Sequence, residues 1–441
     1  MPLELFLTAF LPAGEPDPVS SAQARREKIS LAKPVFDDEM KEAAIHALQN
    51  EPLVLGESVH KFEEEFARYC GTKFAVSTGS GTAALMLSLI AEGVNGGEVV
   101  TTPASFASSA NSIIHAGATP RFADITPDTY TIDHVKVRNS INKRTRAMIP
   151  VHLYGFPAAM RELCEIASEW EIAIIEDACQ AHGASYNKSK AGSIGDAGCF
   201  SFHPSKNMTV GGDGGIVVTN DESFAERVAS LADCGRVKGS KYLHHLIGFT
   251  ERLNTVQAAI GREQLGRLDG WNERRRYIAS KYDELLSDLE DVVTPPTGNA
   301  VVRPVYQLYV IRCRRRDDLR EWLARAGIES DVHYPVPIHL QPIYRQMFGY
   351  RGDEFPNSEA LSADVLSIPM HPGLTSDEVE FVSACIHEFY EKRNGSDRVE
   401  SAELARAYKV HGSIEIAAAY SRAPVHNSIT KQDLIRTGRR H

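Results

Sequence analysis

Three short runs in this chain of 441 residues combine residue types that can do chemistry. Ser77-Thr-Gly-Ser-Gly-Thr82 joins an apolar run to a helical one. A turn there can aim free backbone N–H groups at an anion, helped by the helix dipole and the hydroxyls of Ser80 and Thr82. It matches neither the dinucleotide fingerprint nor the lysine-bearing Walker loop, and a plain tight turn explains it equally well. Glu176-Asp177 closes an apolar strand, with Gln180 and His182 just beyond. Ligands bind at that end of the strands in open α/β sheets. A carboxylate there needs a partner, which could be a structural ion pair, a metal or a protonated ring nitrogen. Phe200-Ser-Phe-His-Pro-Ser-Lys206-Asn207 sets a lysine just past a strand, ahead of the glycine cluster Gly211-Gly-Asp-Gly-Gly215. A desolvated lysine has a lowered pKa and suits a Schiff base, while the glycines allow close backbone approach to whatever it holds. His203 beside it reads as a catalytic group or, more simply, as a satisfied loop histidine.

Together the three runs supply an anion cradle, an acid at a strand end and an amine nucleophile. Pyridoxal phosphate (PLP) requires all three, for its phosphate, its pyridinium nitrogen and its aldehyde. The carboxylate would keep the ring protonated. The lysine, released when a substrate amine takes its place, would become the base that moves the proton.

The elements that must position these groups follow from periodicity. Short apolar strands (74–77, 98–101, 121–124, 147–151, 172–177, 197–202 and 215–219) alternate with helical stretches such as 82–90, 108–115 and 160–170. Strands apolar on both faces and separated by helices predict a mainly parallel sheet covered by helices, an α/β fold. Two amphipathic helices (37–49 and 59–70) precede it, and a charged helix (265–288) carries the chain onward. A strand over 306–313 with helices over 317–326 and 375–390 predicts a smaller α+β domain. The expected division is an N-terminal appendage (1–28), a large domain (29–270), a small C-terminal domain (271–393) and a tail (394–441).

Composition narrows the function classes. Lys and Arg number 48 against 58 Asp and Glu, a formal charge of −10. That acidity argues against a broad nucleic-acid surface. No run approaches the ~18 apolar residues of a membrane span. The 7 cysteines are scattered and form no CxxC pair, which fits neither a disulfide framework nor a zinc site. No metal site is expected, and the expected compartment is the cytoplasm, because the start of the chain lacks a basic signal-peptide region.

The runs Ser80-Gly-Thr-Ala-Ala-Leu85, Glu176-Asp-Ala-Cys-Gln-Ala-His-Gly-Ala184 and Gly198-Cys-Phe-Ser-Phe-His-Pro-Ser-Lys-Asn207 carry a resemblance. So do Arg252-Leu-Asn-Thr-Val-Gln-Ala-Ala-Ile-Gly261, Gly327-Ile-Glu-Ser-Asp-Val-His-Tyr-Pro335 with His339, and Leu366-Ser-Ile-Pro-Met-His-Pro-Gly-Leu374. Over about 30–393 the chain resembles the DegT/StrS family of sugar aminotransferases. The resemblance implies the fold-type I aminotransferase architecture and a homodimer with shared active sites. It also implies transfer of an amino group from glutamate or glutamine to a keto-sugar, expected to be nucleotide-linked, by a ping-pong mechanism. Carried over by position, Lys206 is the Schiff-base lysine, Asp177 pairs the pyridine nitrogen and Gln180 sits near the phenolic oxygen. Gly81, Thr82 and Ser201 bind phosphate, and Phe106 stacks on the ring. Tyr334 and His339 fall in a substrate-facing loop, where a structural role is almost as plausible.

The chain also departs from the family. Thr250, in Gly248-Phe-Thr-Glu-Arg252, stands where the family has an Asn that reaches the neighbouring subunit's phosphate. Cys234 and Gln307 stand where His is frequent. These departures leave room for a keto-cyclitol as the acceptor. A non-catalytic binding or regulatory member is the more distant alternative.

Overall fold

In the computed structural model, which describes residues 28–394, the strands form where apolar residues run in succession. They are β1 (Phe74–Thr78), β2 (Glu98–Thr101), β3 (Thr119–Phe122), β4 (Thr145–Met148), β5 (Ala173–Asp177), β6 (Ser185–Tyr186), β7 (Ser189–Lys190), β8 (Ala197–Ser201), β9 (Gly215–Thr219), β10 (Val292–Val293), β11 (Val302–Arg303), β12 (Tyr309–Cys313) and β13 (Val365–Ile368). The main sheet has 7 strands in the order β1-β9-β8-β5-β4-β2-β3. Its ladders are parallel from β3 through β8, and β9 alone runs against its two neighbours. The expected mainly parallel α/β sheet is therefore present. Strand β3 includes Pro120 and starts earlier than expected, because an edge strand tolerates a residue with no N–H to donate. Strand β4 stops at Met148, short of the expected Val151, where Pro150 can no longer donate to a ladder.

Burial on both faces explains why the sheet strands read as continuous apolar runs. Along β9, Val217 packs with Leu85, Leu87, Val99, Ile175 and Cys199 on one face. Its neighbours Ile216 and Val218 pack with Phe62, Phe66, Phe200 and Phe202 on the other. Phe66 meets Phe200 and Phe202 edge-on, with ring centroids 5.1 and 5.5 Å apart. Each such fully buried side chain contributes about 1.5–3 kcal/mol through removal from water.

The helices that lead into the sheet or lie on it include α1 (Asp38–Asn50), α2 (Glu57–Cys70), α3 (Gly81–Ala91) and α4 (Ser108–His115). Asp37 caps α1 by accepting from Met40 N at 3.1 Å. Helix α3 is apolar nearly all round, as a buried helix should be. The helix expected from Leu265 instead spans Thr255–Leu285, 31 residues, capped by Asn254. Its extra first turns are apolar and buried at Ala258 and Ala259, so charge density alone placed its start too late. From the middle of this helix the buried Arg275 donates to the carbonyls of Tyr306 (3.2 Å) and Met370 (3.0 Å). Burial lowers its guanidinium to about 10. The later sheet has 3 strands, β10-β12-β13, all antiparallel.

The described residues up to His387 make one compact unit, and Glu388 onward belongs to a second. Residues 1–27 and 395–441, which hold nearly all of the two expected appendages, lie outside the described residues. Among the described residues no helix is long and apolar enough to cross a membrane.

Candidate active site

The cradle turn forms because β1 ends against α3 at residues that tolerate no larger neighbour. Ser80 caps α3, its Oγ accepting from Ala83 N at 3.1 Å. A Cβ on Gly81 would lie 2.7 Å from Ser201 Cβ and 2.9 Å from Cys179 Sγ, so only glycine fits there. Gly81 thus presses on the end of β8 and on the loop after β5. A Cβ on Gly215 would lie 2.3 Å from the Ser80 carbonyl oxygen. The late glycine cluster therefore lets β9 pass close behind the cradle. Thr82 donates through Oγ1 to Ser108 Oγ at 2.8 Å, joining the cradle to α4.

Glu176 and Asp177 are adjacent but face opposite ways, as strand parity requires. Glu176 is fully buried. Its Oε1 accepts from the N–H groups of Ile194 and Gly195 (both 2.6 Å), and its Oε2 from Gly192 N and His152 Nε2 (both 2.8 Å). His152 Nδ1 accepts from Ala158 N at 3.0 Å, which leaves the ring proton on Nε2, facing Glu176. This acid anchors the 192–195 loop. Asp177 is 5% exposed. Its Oδ2 accepts from Ser109 Oγ at 2.7 Å and its Oδ1 from Cys179 N at 3.2 Å.

Lys206 follows β8 in a loop closed by its N–H bond to the His203 carbonyl (2.8 Å). Burial lowers its amine's pKa, while Cys179 and Asp177 pull it partly back up. Both of its chain neighbours are gripped. Gln307 Nε2 donates to the Ser205 carbonyl at 2.9 Å, and Asn207 Nδ2 donates to Asn272 Oδ1 at 2.8 Å. His203 is exposed and pairs through Nδ1 with Ser205 Oγ at 2.9 Å, the geometry of a satisfied loop histidine. His182 is buried beside the rings of Phe200 and Phe202, and burial and Lys206 push its pKa down to about 3.

Gln180 Oε1 accepts from Tyr154 N (2.8 Å), and Nε2 donates to Tyr334 Oη (3.2 Å). Tyr154 also hydrogen-bonds the His333 carbonyl. The Tyr334 ring stands 5.9 Å from that of Phe106, which is 57% exposed. Tyr334, Gln180 and Phe106 are thus in contact along one wall. His339 is elsewhere in its contacts. It is buried with Nε2 on Glu359 at 3.0 Å and its ring 4.8 Å from that of Phe355. Its turn is tied to the Phe106 loop by the bond from Ile338 N to the Pro103 carbonyl (2.9 Å). With Glu354 and Glu359 it makes a group with metal-type ligands, but those carboxylates already accept N–H bonds from residues 351–355. Thr250 is exposed, its Oγ1 3.3 Å from Cys234 Sγ, so two departures from the family pattern touch each other. Next to it, the Glu251 carbonyl accepts from Gly79 N of the cradle turn at 2.9 Å.

PLP fits this arrangement. Among the described residues no Lys, Arg or His forms an ion pair with the buried Asp177; its oxygens accept from the Ser109 hydroxyl and the Cys179 amide, and Lys206 is near enough only to feel its charge. A buried carboxylate so placed calls for a cationic partner, which a protonated ring nitrogen supplies. Ser109 and Tyr154 were missed by sequence reasoning, and Gln307 was noted only as a departure from the family, not as a support of the Lys206 loop. Nothing local marks them, since each acts on a residue far along the chain.

Comparison with known proteins places the arrangement. The sequence pattern of the DegT/DnrJ/EryC1/StrS aminotransferase family matches residues 34–387. A pleiotropic regulatory protein of Geobacillus stearothermophilus is 40% identical over 347 residues, 78% of this chain and 92% of the relative. The dTDP-3-amino-3,4,6-trideoxy-alpha-D-glucose transaminase of Streptomyces venezuelae is 39% identical over 351 residues, 79% of this chain and 92% of the relative. A crystal structure of S. venezuelae DesV superposes with a TM-score of 0.79 at 36% identity, covering 82% of this chain and 98% of that one. Other solved neighbours exist in PLP and PMP forms.

Proposed function

This chain belongs to the DegT/DnrJ/EryC1/StrS aminotransferase family, and on that premise we propose that it moves an amino group from glutamate or glutamine to a nucleotide-linked keto-sugar. The family is PLP-dependent. Bound PLP supplies an electron sink that stabilises negative charge at the carbon losing its proton.

The chain's own residues then have these roles. Asp177 holds the ring nitrogen protonated. Lys206 Nζ would hold PLP covalently as its Schiff-base lysine and would serve as the base that moves the proton. Burial keeps more of that amine in its free form at neutral pH than an exposed lysine would have. Gly81, Thr82 and Ser201 receive the phosphate at the start of α3, where N–H groups and the helix dipole favour an anion. Phe106 covers the ring, Gln180 meets its phenolic oxygen, and Tyr334 on the same wall faces the acceptor. His339 supports the loop that carries Phe106, and through it the substrate side. Thr250 lies on an exposed excursion with Tyr242, Leu243 and Ile247, the last 95% exposed. We place this excursion against a second copy, with Thr250 facing that copy's phosphate. The enzyme is then a homodimer whose two half-reactions alternate. On this reading the chain up to about residue 270 binds the cofactor and the chain after it shapes the acceptor pocket.

The observation that carries this reading is the joint placement of Lys206, the unpaired Asp177 and the cradle at Gly81. The test loads the protein with pyridoxamine phosphate and offers nucleotide-linked keto-sugars and keto-cyclitols, reading return of the PLP absorption band. Response to a keto-sugar supports the reading, and response to keto-cyclitols alone moves the acceptor to that class. Turnover by Lys206→Ala at the wild-type rate would refute the chemistry.

A further inference from the structure

The geometry points to Ser109, backed by Ser105, as a positioning residue that aims Asp177 at the cofactor's ring nitrogen. This inference rests on the reading of Asp177 given above. Ser109 is 1% exposed and sits in the first turn of α4, 68 residues before Asp177. Its Oγ donates to Asp177 Oδ2 at 2.7 Å and lies 2.8 Å from Ser105 Oγ, which is also buried. A serine has one hydroxyl proton. Ser109 commits it to the carboxylate, so the proton between the two serines comes from Ser105. The donors therefore run in one direction, Ser105 to Ser109 to Asp177, and each bond polarises the next.

The same turn of helix holds the other end of the site. Ser108 Oγ accepts from Thr82 Oγ1 of the cradle at 2.8 Å. Consecutive residues of α4 thus touch the phosphate end and the nitrogen end, and Phe106 leads into them. A rigid helical turn, rather than two independent loops, sets the spacing between cradle and carboxylate. Cys179 N fixes the second oxygen of Asp177 from the opposite side. Neither contact supplies the cation that Asp177 needs, so both orient the carboxylate and leave its pairing to the ring nitrogen.

The experiment compares two cofactors in apo-protein reconstituted at one pH. One is PLP and the other is deazapyridoxal phosphate, in which carbon replaces the ring nitrogen; Kd is read by absorbance titration. Ser109→Ala should weaken PLP by roughly 10-fold or more, the worth of a hydrogen bond to a charged group, and the deaza analogue by less than about 2-fold. Ser109→Thr, which keeps the hydroxyl, should restore most of the PLP affinity. Equal weakening of both cofactors would mean that Ser109 is merely structural, and no change in PLP affinity would also overturn the inference. If Ser109→Ala does not fold, Ser105→Ala carries the same comparison with a smaller PLP-specific loss. Asp177→Asn separates the two levels of the argument. Should it treat both cofactors alike, the reading of Asp177 itself fails. Should it discriminate while Ser109→Ala does not, only the role of Ser109 fails.

Discussion

Replacing Glu176 by Gln should destabilise the fold although the change is nearly isosteric. The carboxylate is fully buried and faces only donors: the N–H groups of Gly192, Ile194 and Gly195 and the Nε2–H of His152. Gln keeps one oxygen and turns the other position into NH2. Whichever way the amide is placed, two donors then face a donor. His152 cannot relieve this by changing tautomer, because its Nδ1 is already the acceptor for Ala158 N. At roughly 1–3 kcal/mol for each buried group left unsatisfied, the loss is about 2–6 kcal/mol. That is a large part of an ordinary domain's stability of about 5–15 kcal/mol. Urea unfolding followed by circular dichroism should show an earlier midpoint. Limited proteolysis should cut first in the 192–195 loop that the carboxylate anchors. Glu176→Gln combined with His152→Ala should cost less than the sum of the single changes, because both remove the same bond. A Glu176→Gln protein that unfolds at the wild-type midpoint would show that the four donors find other partners, and the account of Glu176 as an anchor would be wrong.

Other consequences can be checked directly. Lys206→Ala should lower turnover by roughly a hundred- to ten-thousand-fold, the usual range for loss of a positioned base, with saturating PLP present. Asp177→Asn removes a neighbour that raises the Lys206 pKa, so the pH dependence of PLP capture by the apo-protein should move to lower pH. Gly81→Ala should lose PLP affinity in equilibrium titration, since its Cβ would sit 2.7 Å from Ser201 Cβ. His182 and His371 are pushed down to about 3 and about 4, below the ordinary histidine value. The unfolded chain then binds more protons, so stability present above about pH 6.5 falls as the pH drops toward those values. The loss between pH 7 and pH 5 should be about 2 kcal/mol for each histidine, and His182→Asn should remove its share in unfolding curves at the two pH values.

The way the fold became legible explains what stayed hidden. Strands such as Glu98–Thr101 and Gly215–Thr219 and helices such as Ser108–His115 and Met160–Trp170 coincide with their expected ranges, because apolar period and caps are local signals. Lys206, Asp177 and the cradle were visible for the same reason, each standing at a strand end beside a telling neighbour. Their supports were not. Ser109 reaches Asp177 across 68 residues, and Gln307 reaches Ser205 across 102. A serine in a helix start reads as a cap or a solvated hydroxyl whatever the chain later brings to it.

Glu176 and Asp177 show where the boundary lies. By residue type alone, before any resemblance, the two acids are equivalent, and either could pair an ion, bind a metal or meet a ring nitrogen. Strand alternation separates them, because successive side chains leave a sheet on opposite faces. Parity alone does not say which face is the site. What each face offers differs: the Glu176 side meets four donors that use both of its oxygens, whereas the Asp177 side meets two, one on each oxygen, and feels the charge of Lys206. The same parity runs along β8, where Cys199 and Phe200 enter opposite cores and Ser201 ends the strand against Gly81. The acid proposed to meet the ring nitrogen is thus the one with the fewer direct partners, a difference that appears only once the chain has folded around both.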